Sequence, residues 1–380
     1  MELTLNRAAM QVELSGIRRF TYLVRDTPGA CALTIGEPDF NTPEEIKAAA
    51  KAALDDNDTH YPPGNGYPYL LEALSEYEAR EHDLHYSPDE ILVTVGATHA
   101  LFIGLQTICN PGDEVIIPTP AFGLYEALVQ LCAATPVMLP TENNRFQIDP
   151  EQLRAAITDK TKAIVLTSPN NPTGCIYTKE TLDAVHDILK DRPIFVLCDD
   201  VYRTLVYSGE YHSFSEYQDM RDRIIVINSF SKPYAMTGWR LGWCMADAPI
   251  RERLQVFEQY SVTSVPSFVQ RACVTALKSD TTYIRDAFKR RRDMVYRRLC
   301  DMGLDVQEPE GAFYMFIPIA RYGMDSVTFC EKMLAEGKVG LIPGVYFNTE
   351  GYMRLSYCYS DADLTEGLDR IERFLKTLEK

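Results

Sequence analysis

The chain has 380 residues, is 46% hydrophobic and 24% charged, and carries a formal net charge of −16. Such a length buries a large core and suggests two or more subdomains. The acidic balance opposes nonspecific binding to nucleic acid or to an anionic membrane surface, and no run is long and apolar enough to span a bilayer.

The ten cysteines run from Cys31 to Cys358 without a C-x-x-C pair, which fits reduced thiols in a cytoplasmic protein better than disulfides or a zinc site. No metal site is expected. His82 and His85, among Glu81 and Asp83, read as a solvated helix face. Met1–Phe20 contains Glu2, Glu13 and Arg18 and lacks a continuous apolar region, so no signal peptide is expected.

In chain order, apolar β-type runs stand at Ile91–Val95, Glu114–Pro118, Pro136–Leu139, Ala163–Thr167, Ile194–Cys198, Ile224–Asn228 and Leu241–Met245. Helical patterns intervene, as at Thr98–Thr107 and Lys179–Leu189. This alternation predicts an α/β fold, a mostly parallel sheet of about seven strands covered on both faces. Asp113, Asp199 and Ser229 fall at or beside strand ends, and such sheets bind ligands outside their carboxyl ends.

The rest predicts a smaller α+β domain. A charged helix, Tyr283–Met302, leads to strands at Phe313–Ile317, Gly340–Pro343 and Tyr352–Tyr357, and a helix closes the chain from about Leu364 to Leu378. The run Lys289-Arg290-Arg291-Arg292 reads as a solvated face. The expected division is residues 1–40 joining the small domain, 41–282 as the large domain and 283–380 as the small one.

The densest chemistry lies in Ser229-Phe230-Ser231-Lys232, with Arg240 eight residues beyond the lysine. A lysine amine can hold an aldehyde cofactor, while a serine and an arginine can hold its phosphate. Alone, S-x-x-K also reads as a loop. An aromatic aldehyde cofactor of this kind needs an acid for its ring nitrogen, a phosphate anchor and a grip on the substrate carboxylate.

Asp199, closing a strand in Cys198-Asp199-Asp200-Val201-Tyr202, suits the nitrogen, although such an acid also serves as a helix N-cap. Tyr202 suits the cofactor's phenolic oxygen or simply the core. Gly96-Ala97-Thr98 opens a helix whose N–H groups suit a phosphate, with Ser229 and Arg240 beside it. Small residues in such a turn also serve tight packing.

Asn171, in Ser168-Pro169-Asn170-Asn171-Pro172-Thr173-Gly174, sits in a turn and can give its amide to the phenolic oxygen. Phe122 can stack on the cofactor ring or fill the core. Arg354, opposite Met353, Leu355 and Tyr357 on a strand, suits a substrate α-carboxylate, with a surface salt bridge as the alternative.

Together these residues resemble the class I aminotransferases, the fold-type I enzymes of the aspartate aminotransferase family, which use pyridoxal 5′-phosphate. The likeness spans nearly the whole chain, from Ile35-Gly36-Glu37-Pro38-Asp39-Phe40 through Tyr61-Pro62-Pro63-Gly64 to Arg354-Leu355-Ser356. It implies that Lys232 is the Schiff-base lysine, Asp199 the partner of the pyridine nitrogen, and Tyr202 and Asn171 the holders of the phenolic oxygen. Arg354 would take the substrate carboxylate, with Gly36 close to it. Tyr61 resembles the tyrosine that reaches a neighbouring subunit's phosphate, which implies a homodimer.

The resemblance further implies ping-pong transfer of an amino group from an amino acid to a 2-oxo acid. In the aspartate-specific branch, an arginine four residues before the position of Ser264 binds the side-chain carboxylate, whereas here that position is Tyr260. The opening, from Leu5-Asn6 through Leu14-Ser15-Gly16-Ile17-Arg18-Arg19-Phe20, resembles bacterial N-acetyl-L,L-diaminopimelate aminotransferases of lysine synthesis. Aspartate or aromatic transamination and a C–S β-lyase activity are the alternatives.

Overall fold

The computed structural model describes residues 3–378. Seven strands form the large sheet: β1 (Ile91–Thr94), β2 (Glu114–Thr119), β3 (Thr135–Pro140), β4 (Thr161–Thr167), β5 (Phe195–Asp199), β6 (Ile224–Ser229) and β7 (Gly242–Met245). Their spatial order is β1-β7-β6-β5-β4-β2-β3, and only β7 runs antiparallel to its neighbours. Residues on β1, β6 and β7 are buried throughout. Helices cover both faces of a mainly parallel sheet, which is why its strands are unbroken apolar runs rather than alternating ones. Two apolar clusters, one on each side, form this core.

A second, antiparallel sheet joins β8 (Tyr314–Pro318), β9 (Ile342–Pro343) and β10 (Tyr352–Ser356), with β10 in the middle. Its core also takes Phe20, Val24 and Leu33 from the beginning of the chain. Here the structure corrects one expectation. Gly340–Pro343 is not one strand, because Val339–Gly340 pairs in parallel with Cys31–Ala32 while Ile342–Pro343 pairs with β10. The strand is interrupted at Leu341, and one apolar run serves two ladders.

Three polar expectations change as well. Arg291 and Arg292 are buried rather than solvated. Arg291 grips Asp39 through both Nη atoms at 2.7 and 2.8 Å and Asp361 through Nε at 2.8 Å, tying both ends of the chain to the long helix Thr282–Asp301. His82 is turned inward against the Tyr77 ring, with centroids 5.5 Å apart, while His85 pairs with Asp83 in solvent. Asp113 precedes β2 at its amino end and accepts the Asn110 N–H at 2.8 Å, away from the carboxyl edge. Among the described residues no helix is long and apolar enough to cross a membrane.

Candidate active site

At the carboxyl ends of β5 and β6, between the two sheets, lies a cavity of about 480 Å³. Strand β6 ends at Ser229, whose Oγ accepts the Ser231 N–H at 3.0 Å and donates to Leu241 O at 3.2 Å. This local bonding turns the chain sharply and presents Lys232 to the cavity. Lys232 Nζ donates to Gly36 O at 2.7 Å and lies 5.5 Å from the Phe313 ring centroid. Burial among these groups pushes the amine down from 10.5 to about 8, so far more of it is neutral near physiological pH than in an exposed lysine.

Asp199 ends β5 and is 4% exposed. Its Oδ2 accepts the Tyr125 hydroxyl at 2.6 Å, and Tyr125 in turn accepts Thr167 Oγ1 at 2.8 Å. Oδ1 is buried with no hydrogen-bond partner. Burial pushes the carboxyl up from 3.8 to about 6, against the pull of the Tyr125 bond. A buried carboxylate oxygen without a donor is costly, and a protonated ring nitrogen is the kind of group that satisfies it.

Gly96, with φ of 77°, caps the helix Ala97–Ile108. A side-chain carbon here would stand 2.7 Å from Arg240 Nη2, so glycine serves both the left-handed backbone and the close guanidinium. Ala97, Thr98, Ser229 and Arg240 thus face the cavity at a helix N-terminus, a site that suits an anion. Arg240 is exposed, its Nη1 donating to Thr237 O at 2.8 Å.

On the other side stands Arg354, in the middle of β10 and 2% exposed. Nη1 donates to Asn171 Oδ1 at 2.8 Å and Nη2 to Thr34 O at 2.5 Å, while Nε has no partner. Its guanidinium lies 4.5 Å from the Tyr314 ring centroid and 4.8 Å from that of Phe347. None of its contacts is a carboxylate, so the expected alternative of a surface salt bridge is excluded. Desolvation lowers its pKa, which is the response of a buried cation lacking a counter-charge.

Phe122 and Asn171 complete the set, and Tyr202 shares a hydrogen bond with Tyr314 at 2.9 Å between hydroxyl oxygens. Gly36 is held against Tyr314, whose hydroxyl would lie 1.8 Å from any added side-chain carbon. Tyr61 stands apart, 90% exposed and outside the cavity.

Sequence reasoning missed Tyr125, Tyr314 and the helix Gly16–Arg25, which brings Arg18 and Tyr22 to the cavity. Tyr125 had a signal: it follows the singled-out Phe122 by three residues in the same strand-to-helix turn, and the two rings pack edge to face with centroids 6.2 Å apart. Tyr314 had a weaker one, its place in an aromatic strand beside the arginine-bearing strand.

A buried amine, an acid at a strand end, a helix N-terminus with an arginine and an unpaired buried guanidinium define a fold-type I pyridoxal-phosphate enzyme. The model of the family described as aminotransferase class I and II matches residues 30–371. The chain is 42% identical to a probable N-acetyl-LL-diaminopimelate aminotransferase of Bacillus subtilis, over 99% of this chain and 96% of that one. It is 39% identical to an aspartate aminotransferase of Pyrococcus abyssi, over 96% of both. The solved aspartate aminotransferase from Thermus thermophilus with maleate superposes with a TM-score of 0.94 at 35% identity, covering 98% of this chain and 100% of that one. The chain belongs to the class I and II aminotransferase family.

It is therefore a pyridoxal-phosphate-dependent aminotransferase that acts on amino acids and 2-oxo acids. The residues fit the cofactor, since Asp199 Oδ1 lacks a donor and Gly96 leaves room beside Arg240.

Proposed function

We propose that this aminotransferase takes its amino group from N-acetyl-L,L-diaminopimelate and passes it to 2-oxoglutarate in the cytoplasm. The observation that carries transamination at this site is the convergence of Lys232 and Arg354 on one cavity, with Arg354 lacking an acidic partner. The donor is supported by the 42% identical Bacillus subtilis relative and by the opening around Ser15–Phe20.

Each residue has a role in this reading. Lys232 holds the cofactor aldehyde, and its freed amine carries the proton from the substrate Cα. Bound pyridoxal phosphate supplies the electron sink that acidifies that proton. Asp199 keeps the pyridine nitrogen protonated, positioned by Tyr125. Tyr202 and the Asn171 amide hold the phenolic oxygen, and Phe122 packs on the ring. Gly96, Ala97, Thr98, Ser229 and Arg240 bind the phosphate. Arg354 takes the α-carboxylate bidentately, with Gly36 leaving space beside it.

Two copies associate, and Tyr61 of each reaches the phosphate site of the other. Its 90% exposure, like the 84% exposure of Tyr260, suits a surface that is covered on assembly. Residues 41–282 form the cofactor-binding domain, and 283–380 with 1–40 form the smaller one.

A half-reaction screen tests the donor, following the loss of the bound cofactor's absorption band. N-acetyl-L,L-diaminopimelate should react with the highest kcat/KM. Faster turnover of aspartate or an aromatic amino acid would move the protein to that branch. Pyruvate and ammonia released from cystathionine without an oxo acid would make it a C–S β-lyase.

A further inference from the structure

The cations of the cavity outnumber its anions. Arg18, Lys232, Arg240 and Arg354 line it against Glu37 and Asp199. Three of the cations are accounted for by the proposed function, on which this inference rests. Lys232 holds the aldehyde, Arg240 the phosphate and Arg354 the α-carboxylate. Glu37 is engaged by the Thr237 hydroxyl. Arg18 remains, with no hydrogen bond and no ion pair to any described residue.

The position of Arg18 is fixed, although its head is solvated. Its helix, Gly16–Arg25, buries Phe20 and Val24 in the core of the small sheet. At 100° per residue, Arg18 and Tyr22 then fall on the opposite face, and both line the cavity. The neighbouring Arg19 is held elsewhere, on the Tyr346 hydroxyl at 3.2 Å. Tyr260 is 84% exposed and outside the cavity.

We propose that Arg18 is the second carboxylate receptor of this site, binding the distal carboxylate of dicarboxylic amino and oxo acids whose α-carboxylate is on Arg354. A guanidinium carried on the cavity wall selects substrates by charge at the end remote from the chemistry.

The test compares dead-end ligands on the holoenzyme. Glutarate is butyrate with one further carboxylate at the distal end. Their dissociation constants are measured by calorimetry for the wild type and for Arg18→Gln and Arg18→Lys. Loss of one charge-assisted pair should weaken glutarate about 10- to 100-fold in Arg18→Gln. Butyrate should change less than about twofold, and Arg18→Lys should recover part of the loss. An unchanged glutarate-to-butyrate ratio in Arg18→Gln, or equal weakening of both, overturns the assignment. These ligands do not react, so the outcome is independent of the donor screen. A wild type that transaminates nothing would sink the proposed function, while the affinity ratio alone judges Arg18.

Discussion

Arg354 and Asn171 are joined side by side across the two sheets, Nη1 donating to Oδ1 at 2.8 Å. The bond uses the carbonyl end of the amide and so leaves the Asn171 N–H donors for a ligand. It also fixes the guanidinium, whose cost of burial is unrelieved by any carboxylate.

Arg354→Ala should therefore raise KM for every amino donor by about 100-fold or more, the value of two charge-assisted hydrogen bonds. Cofactor binding should persist, because the residues proposed to hold the phosphate and ring nitrogen are other ones. Titration of donor against the cofactor's absorption band, with bound cofactor measured in parallel, checks both halves. Equal loss of cofactor would count against the substrate role.

Asp199 has a consequence for the cofactor-free protein. Its folded-state pKa of about 6 lies above the ordinary 3.8. A raised pKa stabilises the fold below the unfolded value, and that contribution is lost as pH rises through the folded one. The cofactor-free protein should thus lose roughly 3 kcal/mol between about pH 4 and pH 6 from this group. Asp199→Asn should be more stable than the wild type at pH 8, and the difference should vanish near pH 4. Urea unfolding of both cofactor-free proteins across that range measures it.

Lys232 titrates the other way. Only its neutral amine can attack an aldehyde, and its pKa is lowered to about 8. The rate at which cofactor-free protein takes up pyridoxal phosphate should rise about tenfold per pH unit below 8 and level off above it. A rise continuing unchanged to pH 10 would show a lysine with its ordinary pKa. Stopped-flow absorbance records the profile.

Much of the sheet and most of the cavity were legible in the sequence, for physical reasons. Strands buried on both faces are continuous apolar runs, so β1, β5 and β6 announced themselves, and Asp199 and Ser229 followed as polar residues ending such runs. The single lysine between serines needed only a partner set. What stayed hidden depends on tertiary neighbours. Nothing local distinguishes Arg291 and Arg292, which are buried, from the solvated charges around them. Nor does any local pattern bring Arg18 to Arg354 across more than three hundred residues.

Arg291 offers a structural check. Its pairing with Asp39 and Asp361 joins both ends of the chain to the long helix. Arg291→Ala should cost roughly 1–3 kcal/mol in urea unfolding, as expected for a half-buried ion-pair network. Arg290→Ala, on the solvated side, should change stability by less than about 0.5 kcal/mol.

The central claim is that Lys232 carries the cofactor. Borohydride reduction of the holoenzyme fixes the pyridoxyl group on whichever amine holds it, and peptide mass spectrometry locates that amine. The modification should fall on Lys232 alone, and Lys232→Ala should show none. A pyridoxyl group on another lysine, or Lys232→Ala retaining normal turnover, would contradict the account.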